Sequence, residues 1–162
     1  MFLPQYKQKP IDIPDDAIPS KQRYWSGDHI ANGLYLGDAN ASNDHDWLMK
    51  ENITTVIRTI HRDETILYEY PGITYHYYPI CDGCDDIVKA VKVLYPIVDN
   101  ALVKGEHVLV HCRAGKSRSA SIVIAYIMIS QKVDYHTAYD IVAQKREIID
   151  PHFRYAIALI NM

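Results

Sequence analysis

Residues 108–119 read Val-Leu-Val-His-Cys-Arg-Ala-Gly-Lys-Ser-Arg-Ser, and this stretch decides the fold of the chain. Its first three residues are apolar and mostly β-branched, which predicts a short central strand. Residues 111–117 form a polar loop that contains a glycine. Residues 118–130 are apolar enough to be a buried helix. A strand, a short loop and a helix in this order are typical of an α/β domain.

Strand and helix patterns alternate on both sides of this unit. One helix should begin near Asp85 and Asp86 and end before Gly105, and we expect Pro96 to kink or interrupt it. Alternating strands and helices predict an α/β domain with a largely parallel sheet. The other predicted strands are 34–37, 53–57 and 75–80, and the other predicted helices are 46–50, 135–146 and 153–160.

Composition limits the class of protein. The 162 residues are 48% hydrophobic and 23% charged with a net charge of −3, which fits one globular domain and argues against a disordered or nucleic-acid-binding protein. The longest apolar stretch, 122–129, is too short to span a bilayer, so no stable membrane insertion is expected. Three cysteines and an N-terminus without a secretory layout predict a cytoplasmic protein in a reducing compartment.

The first part of the chain has a different composition. Four prolines between Pro4 and Pro19 predict an extended arm over residues 1–27, ahead of a folded domain over residues 28–162. We interpret the arm as a loose tail packed over the domain, with a partner-binding or dimer-swapped arm as the alternative. The expected oligomeric state is a monomer or a weak dimer.

The loop 111–117 carries the candidate chemistry. A loop that leads into a helix N-terminus directs several backbone N–H groups at one point, which makes an anion site and stabilises a thiolate at Cys112. Gly115 allows a tight turn around the anion, Arg118 can offer its planar fork to two phosphoryl oxygens, and Ser119 can donate to the sulfur. These residue types suit in-line attack and a thiophosphate intermediate. The alternative for an isolated cysteine is an ordinary core residue.

Cys81 and Cys84 form a single Cys-x-x-Cys pair. A zinc site needs about four ligands, and the sequence offers no second pair, so we expect neither a metal nor another cofactor. The pair is interpreted as two ordinary thiols. The alternative is that one of them forms a reversible disulfide with oxidised Cys112.

Residues 111–119 match the Cys-x5-Arg signature of the protein tyrosine phosphatase superfamily, in the His-Cys-x-x-Gly-x-Ser-Arg-Ser form of the dual-specificity phosphatases. This resemblance extends from about residue 28 to residue 160. It implies that family's fold, a central mixed and mostly parallel sheet flanked by helices. It also implies metal-free hydrolysis of phosphate monoesters through a cysteinyl-phosphate intermediate. The other matching segments are Ile30 with 34–37, 53–57, 125–128, and Arg146 with Pro151 and Phe153.

The resemblance implies a role for each residue of the site. Cys112 is the nucleophile, His111 orients it, and Ser119 assists its thiolate. Arg118 clamps the phosphate, and the loop amides complete the anion site. The loop residues expected to bind the phosphate are Arg113, Ala114, Gly115, Lys116, Ser117 and Arg118.

The leaving group needs a proton, so the mechanism requires a general acid near the loop. From the residues alone, Asp82, Asp85 and Asp86 all remain candidates. Asp85 and Asp86 also fit as helix caps, which is the commoner use of aspartate before a helix. The resemblance selects Asp82, because the segment Pro-Ile-Cys-Asp at 79–82 matches the family's acid loop in pattern and in distance from Cys112.

The expected substrates are phosphotyrosine and phosphoserine/threonine in proteins, and no nucleic acid partner is expected. Arg113 and Lys116 are basic, as in similar loops of phosphatases that act on phosphoinositides, so a phospholipid substrate is the alternative. A non-catalytic module that binds phosphorylated partners is a further alternative. The intact nucleophile, clamp and acid argue against it.

Two positions depart from the family's pattern. Arg58 stands where the family often has asparagine, and we expect it to form an ordinary structural ion pair rather than to contact substrate. His152 also replaces an asparagine, which puts in doubt the hydrogen bond by which that asparagine braces the loop.

Overall fold

Within residues 27–162, the part of the chain that the computed structural model describes, a mixed sheet places β5 (His107–His111) at its centre. The strand order is β1-β2-β5-β3-β4, with β1 antiparallel to β2 and all other pairs parallel. The predicted mixed, mostly parallel sheet is confirmed. The predicted arm lies outside the described residues except for Gly27. The other strands are β1 (Gly27–Ala31), β2 (Leu34–Gly37), β3 (Ile53–Arg58) and β4 (Thr74–Tyr77).

The predicted strand 75–80 ends early, at Tyr77. The chain still follows β3, because the Tyr78 N–H donates to the Arg58 carbonyl at 2.9 Å and the Ile80 N–H to the Thr59 carbonyl at 3.1 Å. Pro79 lies between these two donors and has no N–H, so the regular ladder cannot continue. The irregular stretch delivers residues 81–86 to the edge of the sheet where the parallel strands end.

Helices flank the sheet, and α4 (Arg118–Gln131) begins directly after the loop at the end of β5. A short helix that the sequence patterns did not predict, α1 (Ala39–Asn43), follows β2. Asp38 caps it by accepting a hydrogen bond from the Ala41 N–H at 2.8 Å. The other described helices are α2 (His45–Lys50), α3 (Ile87–Val103), α5 (Tyr135–Lys145) and α6 (Phe153–Ile160).

Pro96 lies inside α3, which continues through it. We expected a kink or an interruption, and the interruption does not occur. Pro96 is exposed, and so is Lys92, whose carbonyl loses its helical donor because proline has no N–H. On this solvent-facing side, water can hydrogen-bond to the unpaired carbonyl, and the buried face of the helix is undisturbed.

Apolar residues on alternate positions of β5 point to opposite faces of the sheet. Val108 and Val110 pack into the larger core, which includes residues of α3, α4, α5 and α6. Leu109 joins the smaller core, where Leu48 of α2 covers the other face. Burial on both faces explains the uninterrupted apolar run at 108–110. No helix within the described residues has both the length and the apolar character needed to cross a bilayer.

Candidate active site

The sulfur of Cys112 lies where β5 ends, and only 2% of the residue is exposed. It accepts hydrogen bonds from the Gly115 N–H at 3.2 Å and from the Ser119 hydroxyl at 3.1 Å. Both donors stabilise a negative charge on sulfur. The structure thus brings together three residues that the sequence assigned to the site and directs two hydrogen-bond donors at the sulfur.

The backbone of the loop is fixed by its carbonyl groups. Six consecutive carbonyls, those of residues 111–116, accept hydrogen bonds from donors outside the anion site. In a trans peptide the N–H points opposite to the carbonyl, so outward carbonyls leave the following amides directed inward. The donors are the Thr59 hydroxyl, the His111 ring, the Ala39 N–H, the Arg146 guanidinium for both Ala114 and Gly115, and the Asp150 N–H.

Arg146 is the main brace of the loop. Its Nε donates to the Gly115 carbonyl at 2.9 Å and its Nη2 to the Ala114 carbonyl at 3.2 Å. Its Nη1 forms an ion pair with Asp28 of β1 at 2.8 Å. Gly115 has a φ of +63°, and a Cβ there would lie 2.6 Å from the Gly37 carbonyl oxygen and 2.7 Å from Nη2 of Arg146. Both the turn and the close packing therefore require glycine.

His111 is fully buried, and its Nδ1 lies 3.1 Å from the Cys112 carbonyl oxygen. Burial, and then the nearby charge of Arg58, lower the pKa of His111 to about 3. The ring is therefore neutral at ordinary pH, and Nδ1 must carry the proton in order to donate to the carbonyl. This arrangement gives a physical basis for the expected role of His111 in orienting the cysteine.

Glu64 holds the guanidinium of Arg118, a contact that sequence reasoning missed. Its two carboxylate oxygens accept from Nη1 at 2.6 Å and from Nη2 at 2.9 Å, and the Ile80 carbonyl accepts from Nη1 at 3.1 Å. Burial is the largest single influence and disfavours the charge of Arg118, but the hydrogen bond to Glu64 and the nearby negative charges together outweigh it, so the pKa of Arg118 is raised. The same hydrogen bond lowers the pKa of Glu64. No motif marks Glu64, because its loop between β3 and β4 has no periodic pattern.

The three candidate acids occupy different places. Asp82 accepts a hydrogen bond from the Ser117 hydroxyl at 2.7 Å, so its carboxylate lies against the loop. Asp86 caps α3 by accepting from the Lys89 N–H, and Asp85 accepts from the Cys81 N–H at 2.6 Å. Only Asp82, among these three, has a contact with the loop among the described residues. The geometry therefore supports the choice that the resemblance made.

Ser117 also contacts His152. The backbone N–H of His152 donates to the Ser117 hydroxyl at 2.9 Å, so a bracing bond is made here by the main chain rather than by an asparagine side chain. The His152 ring caps α6 by accepting from the Arg154 N–H and packs against Gly83. The departure from the family's pattern therefore leaves the loop supported.

Arg58 is 1% exposed, and among residues 27–162 it forms no ion pair of the kind that we expected. Within the described residues its guanidinium donates to the Tyr68 carbonyl and lies 4.6 Å from the centroid of the Tyr75 ring. A backbone carbonyl and an aromatic ring thus contact the guanidinium in place of the carboxylate of an ion pair. Burial lowers the pKa of Arg58. Of the two basic loop residues, Arg113 is exposed and Lys116 is half-buried.

The match to known proteins covers the whole of this site. A profile of the dual specificity phosphatase catalytic domain matches residues 34–162. The chain belongs to the dual-specificity phosphatase family, as the resemblance in the sequence implied.

Several relatives show how far the likeness extends. Dual specificity protein phosphatase 2 of Mus musculus is 33% identical over 132 residues, which are 80% of this chain and 40% of that protein. Dual specificity protein phosphatase 1B of Arabidopsis thaliana is 30% identical over 151 residues, 90% of this chain and 89% of that protein. This chain spans only 16–40% of the length of the mouse protein and of three other curated relatives.

Solved structures agree with this assignment. The crystal structure of the human tyrosine phosphatase-like serine/threonine/tyrosine-interacting protein superimposes with a TM-score of 0.78 at 29% identity, covering 83% of this chain and 93% of that one. The crystal structure of DUSP15 gives a TM-score of 0.77 at 29% identity, covering 83% and 85%.

Glu64→Gln is expected to loosen the phosphate clamp. The glutamine NH2 group replaces one of the two accepting oxygens, so one hydrogen bond of the pair and the negative charge are lost. We expect vanadate, an oxyanion that mimics phosphate, to inhibit about tenfold more weakly, a loss of roughly 1.4 kcal/mol. Asp63→Asn removes the same charge from the adjacent exposed residue and serves as the matched control. Equal vanadate inhibition of both variants and the parent would contradict the role of Glu64.

His111→Asn is expected to change how stability depends on pH. Below about pH 6.5 the unfolded chain takes up a proton at His111, whereas the folded protein resists it until about pH 3. His111 therefore lowers the free energy of unfolding as the pH is lowered from about 6.5 to about 3, by up to about 1.4 kcal/mol per pH unit. Asparagine keeps a donor for the Cys112 carbonyl but does not titrate. Urea unfolding at several pH values should show a shallower dependence in the variant; identical slopes would refute the assignment.

Proposed function

We propose that this protein is a dual-specificity protein phosphatase that hydrolyses phosphotyrosine and phosphoserine/threonine monoesters through a cysteinyl-phosphate intermediate. The observation that carries the proposal is the loop around Cys112, whose carbonyls are all held outward while two donors contact the sulfur. Such a loop suits a tetrahedral dianion beside a thiolate.

Substrate binding uses the inward amides of the loop and Arg118. Among the described residues, Glu64 and the Ile80 carbonyl occupy three of the five guanidinium N–H groups of Arg118. The Nε–H and one Nη2 N–H remain for two phosphoryl oxygens, and these two bonds point in the same direction from the planar group. Glu64 thus acts as a positioning residue that sets the plane of the clamp.

Transfer then occurs in line. The Cys112 thiolate attacks phosphorus, the bond from phosphorus to the ester oxygen breaks, and Asp82 gives its proton to the departing oxygen. The Arg118 fork and the amides hold the equatorial oxygens throughout. Asp82, now a carboxylate, takes a proton from the water that attacks the thiophosphate. The Ser119 hydroxyl, already 3.1 Å from the sulfur, donates to it as it leaves.

The family supports proteins as the substrate class. Relatives at 30–33% identity bear the names dual specificity protein phosphatase and MAP kinase phosphatase. The exposed Arg113 is the observation that would favour a phosphoinositide instead. We further propose that the protein acts in signalling, in a reducing cytoplasmic compartment that keeps Cys112 as a thiol, as a monomer or weak dimer without membrane insertion.

Substitution of the nucleophile and the acid tests the reaction. Cys112→Ser should abolish release of phosphate from p-nitrophenyl phosphate in the presence of a chelator, because a hydroxyl is a poor nucleophile without a base. Asp82→Asn should slow hydrolysis of phenyl phosphate by about 10²–10⁴-fold and slow p-nitrophenyl phosphate much less, since the nitro group stabilises its own leaving anion.

Asp85→Asn is the matched control for the acid. It should leave the ratio of the phenyl phosphate rate to the p-nitrophenyl phosphate rate unchanged. If Asp85→Asn changed this ratio more than Asp82→Asn did, the general acid would be Asp85 and not Asp82. Absence of turnover in the parent protein, with phosphopeptide binding retained, would make it a phosphate-binding module.

A panel of substrates tests the proposed class. We expect phosphotyrosyl and phosphothreonyl peptides to be hydrolysed with higher kcat/KM than soluble phosphoinositides. Arg113→Gln should change the peptide rates by less than about threefold, because an exposed charge in water contributes little. A higher kcat/KM for phosphoinositide, reduced by Arg113→Gln, would establish the lipid alternative.

A further inference from the structure

Cys81 and Cys84 are the ends of a tight turn that carries the proposed acid. The Cys84 N–H donates to the Cys81 carbonyl at 3.1 Å, and Gly83, with a φ of +76°, occupies the third position. Turns of this kind keep the α-carbons of their first and fourth residues within about 7 Å. A disulfide needs an α-carbon separation of about 4.4–6.8 Å, so the backbone is already suitable.

Both thiols are free, and the Cys84 Sγ donates to the Asp82 carbonyl within the same turn at 3.6 Å. Cys84 is exposed and Cys81 is half-buried, so an oxidant meets Cys84 first. The interaction with the Cys84 side chain raises the pKa of Cys81 to about 11, which keeps the proton on Cys81 until the exchange has begun.

Cys112 is a poorer partner for either thiol. It is 2% exposed, and Gly115 and Ser119 both hydrogen-bond to its sulfur. The tight turn that joins Cys81 and Cys84 favours a local disulfide over the link to Cys112 that the sequence left open.

We propose that Cys81 and Cys84 are a thiol–disulfide site that small disulfides such as oxidised glutathione convert to an intramolecular disulfide. The Cys84 thiolate attacks one sulfur of glutathione disulfide, which forms a mixed disulfide and releases one glutathione thiolate. Cys81 then gives up its proton and attacks the Cys84 sulfur, which releases the second glutathione. The two protein thiols are oxidised, and one glutathione disulfide is reduced to two thiols.

The new bond encloses Asp82 in a small ring. In the reduced protein Asp82 accepts from Ser117, while the Tyr155 hydroxyl accepts from the Gly83 N–H at 2.7 Å and donates to the Cys81 carbonyl. The turn is therefore anchored on two sides, and any movement of the Asp82 carboxylate toward a leaving-group oxygen requires the turn to move with it. A disulfide across the turn restricts that movement. This effect on turnover rests on the proposed phosphatase activity, whereas formation of the disulfide does not.

The test is oxidation of the purified protein with glutathione disulfide, followed by alkylation, proteolysis under non-reducing conditions and mass analysis. We expect Cys81 and Cys84 in one disulfide-linked peptide, two hydrogens lighter than the reduced form, and Cys112 alkylated as a free thiol after denaturation. A link from Cys112 to Cys81 or Cys84, or glutathione adducts without a Cys81–Cys84 bond, would overturn the proposal.

The second part of the test measures the hydrolysis rates of two substrates with different leaving groups. Oxidation should slow the hydrolysis of phenyl phosphate about tenfold more than that of p-nitrophenyl phosphate, and dithiothreitol should reverse the change. Cys84→Ser keeps the turn but cannot close the ring, so its rates should not respond to glutathione disulfide. A disulfide that forms without changing the ratio of the two rates would refute the effect on the acid. Inactivity of the reduced protein on both substrates would refute the phosphatase proposal, while the mass analysis would still decide whether the disulfide forms.

Discussion

The anion site depends on where six backbone carbonyls find their donors. The backbone amides that point into the anion site repel each other because their dipoles have the same orientation. Without a bound anion, no attraction offsets this repulsion. The loop keeps this arrangement because the carbonyls of residues 111–116 are each hydrogen-bonded elsewhere, and a lost partner would leave a buried carbonyl unpaired at a cost of about 1–3 kcal/mol. Apart from the His111 ring, the donors come from the residue after β3, from α1 and from the segment after α5, so distant parts of the chain hold one loop.

Charge around the site follows from burial. Arg146 is paired with Asp28 and Arg118 with Glu64, so each buried cation of the clamp and brace has a carboxylate partner. Arg58 has instead a carbonyl and an aromatic ring, and its charge helps to keep His111 neutral. A second cation at His111 would cost free energy beside Arg58, and the neutral ring is the form that donates to the Cys112 carbonyl. Arg58, in the place of the usual asparagine, thus contributes through electrostatics.

Local patterns predicted most of the elements because their causes are local. β-branched runs produced β3 and β5, and the apolar stretch after Arg118 produced α4. Pro96 does not interrupt α3 because it lies on an exposed face of the helix. The free-energy cost of a proline in a helix depends on this exposure, which is set by tertiary packing and not by the local sequence. Glu64 was missed for a similar reason: a single carboxylate in an irregular loop becomes meaningful only when the fold brings Arg118 to it. Among the three aspartates, only the family's pattern selected Asp82, since all three are polar residues before one helix.

The Ser117 hydroxyl connects binding to acid chemistry. A serine at the N-cap, the residue just before a helix, ordinarily accepts a hydrogen bond from a first-turn amide, but Ser117 makes no such bond to α4. It accepts from the His152 N–H and donates to Asp82 instead. The first-turn amides of α4 therefore have no capping oxygen from Ser117, and the carboxylate of Asp82, the proposed acid, is held beside them. A helix that gave up its cap would be less stable by about 1 kcal/mol on its own. A bound anion accepts the hydrogen bonds that a capping oxygen would otherwise accept, so the helix regains this stability when the anion binds. The missing cap therefore favours binding of an anionic substrate.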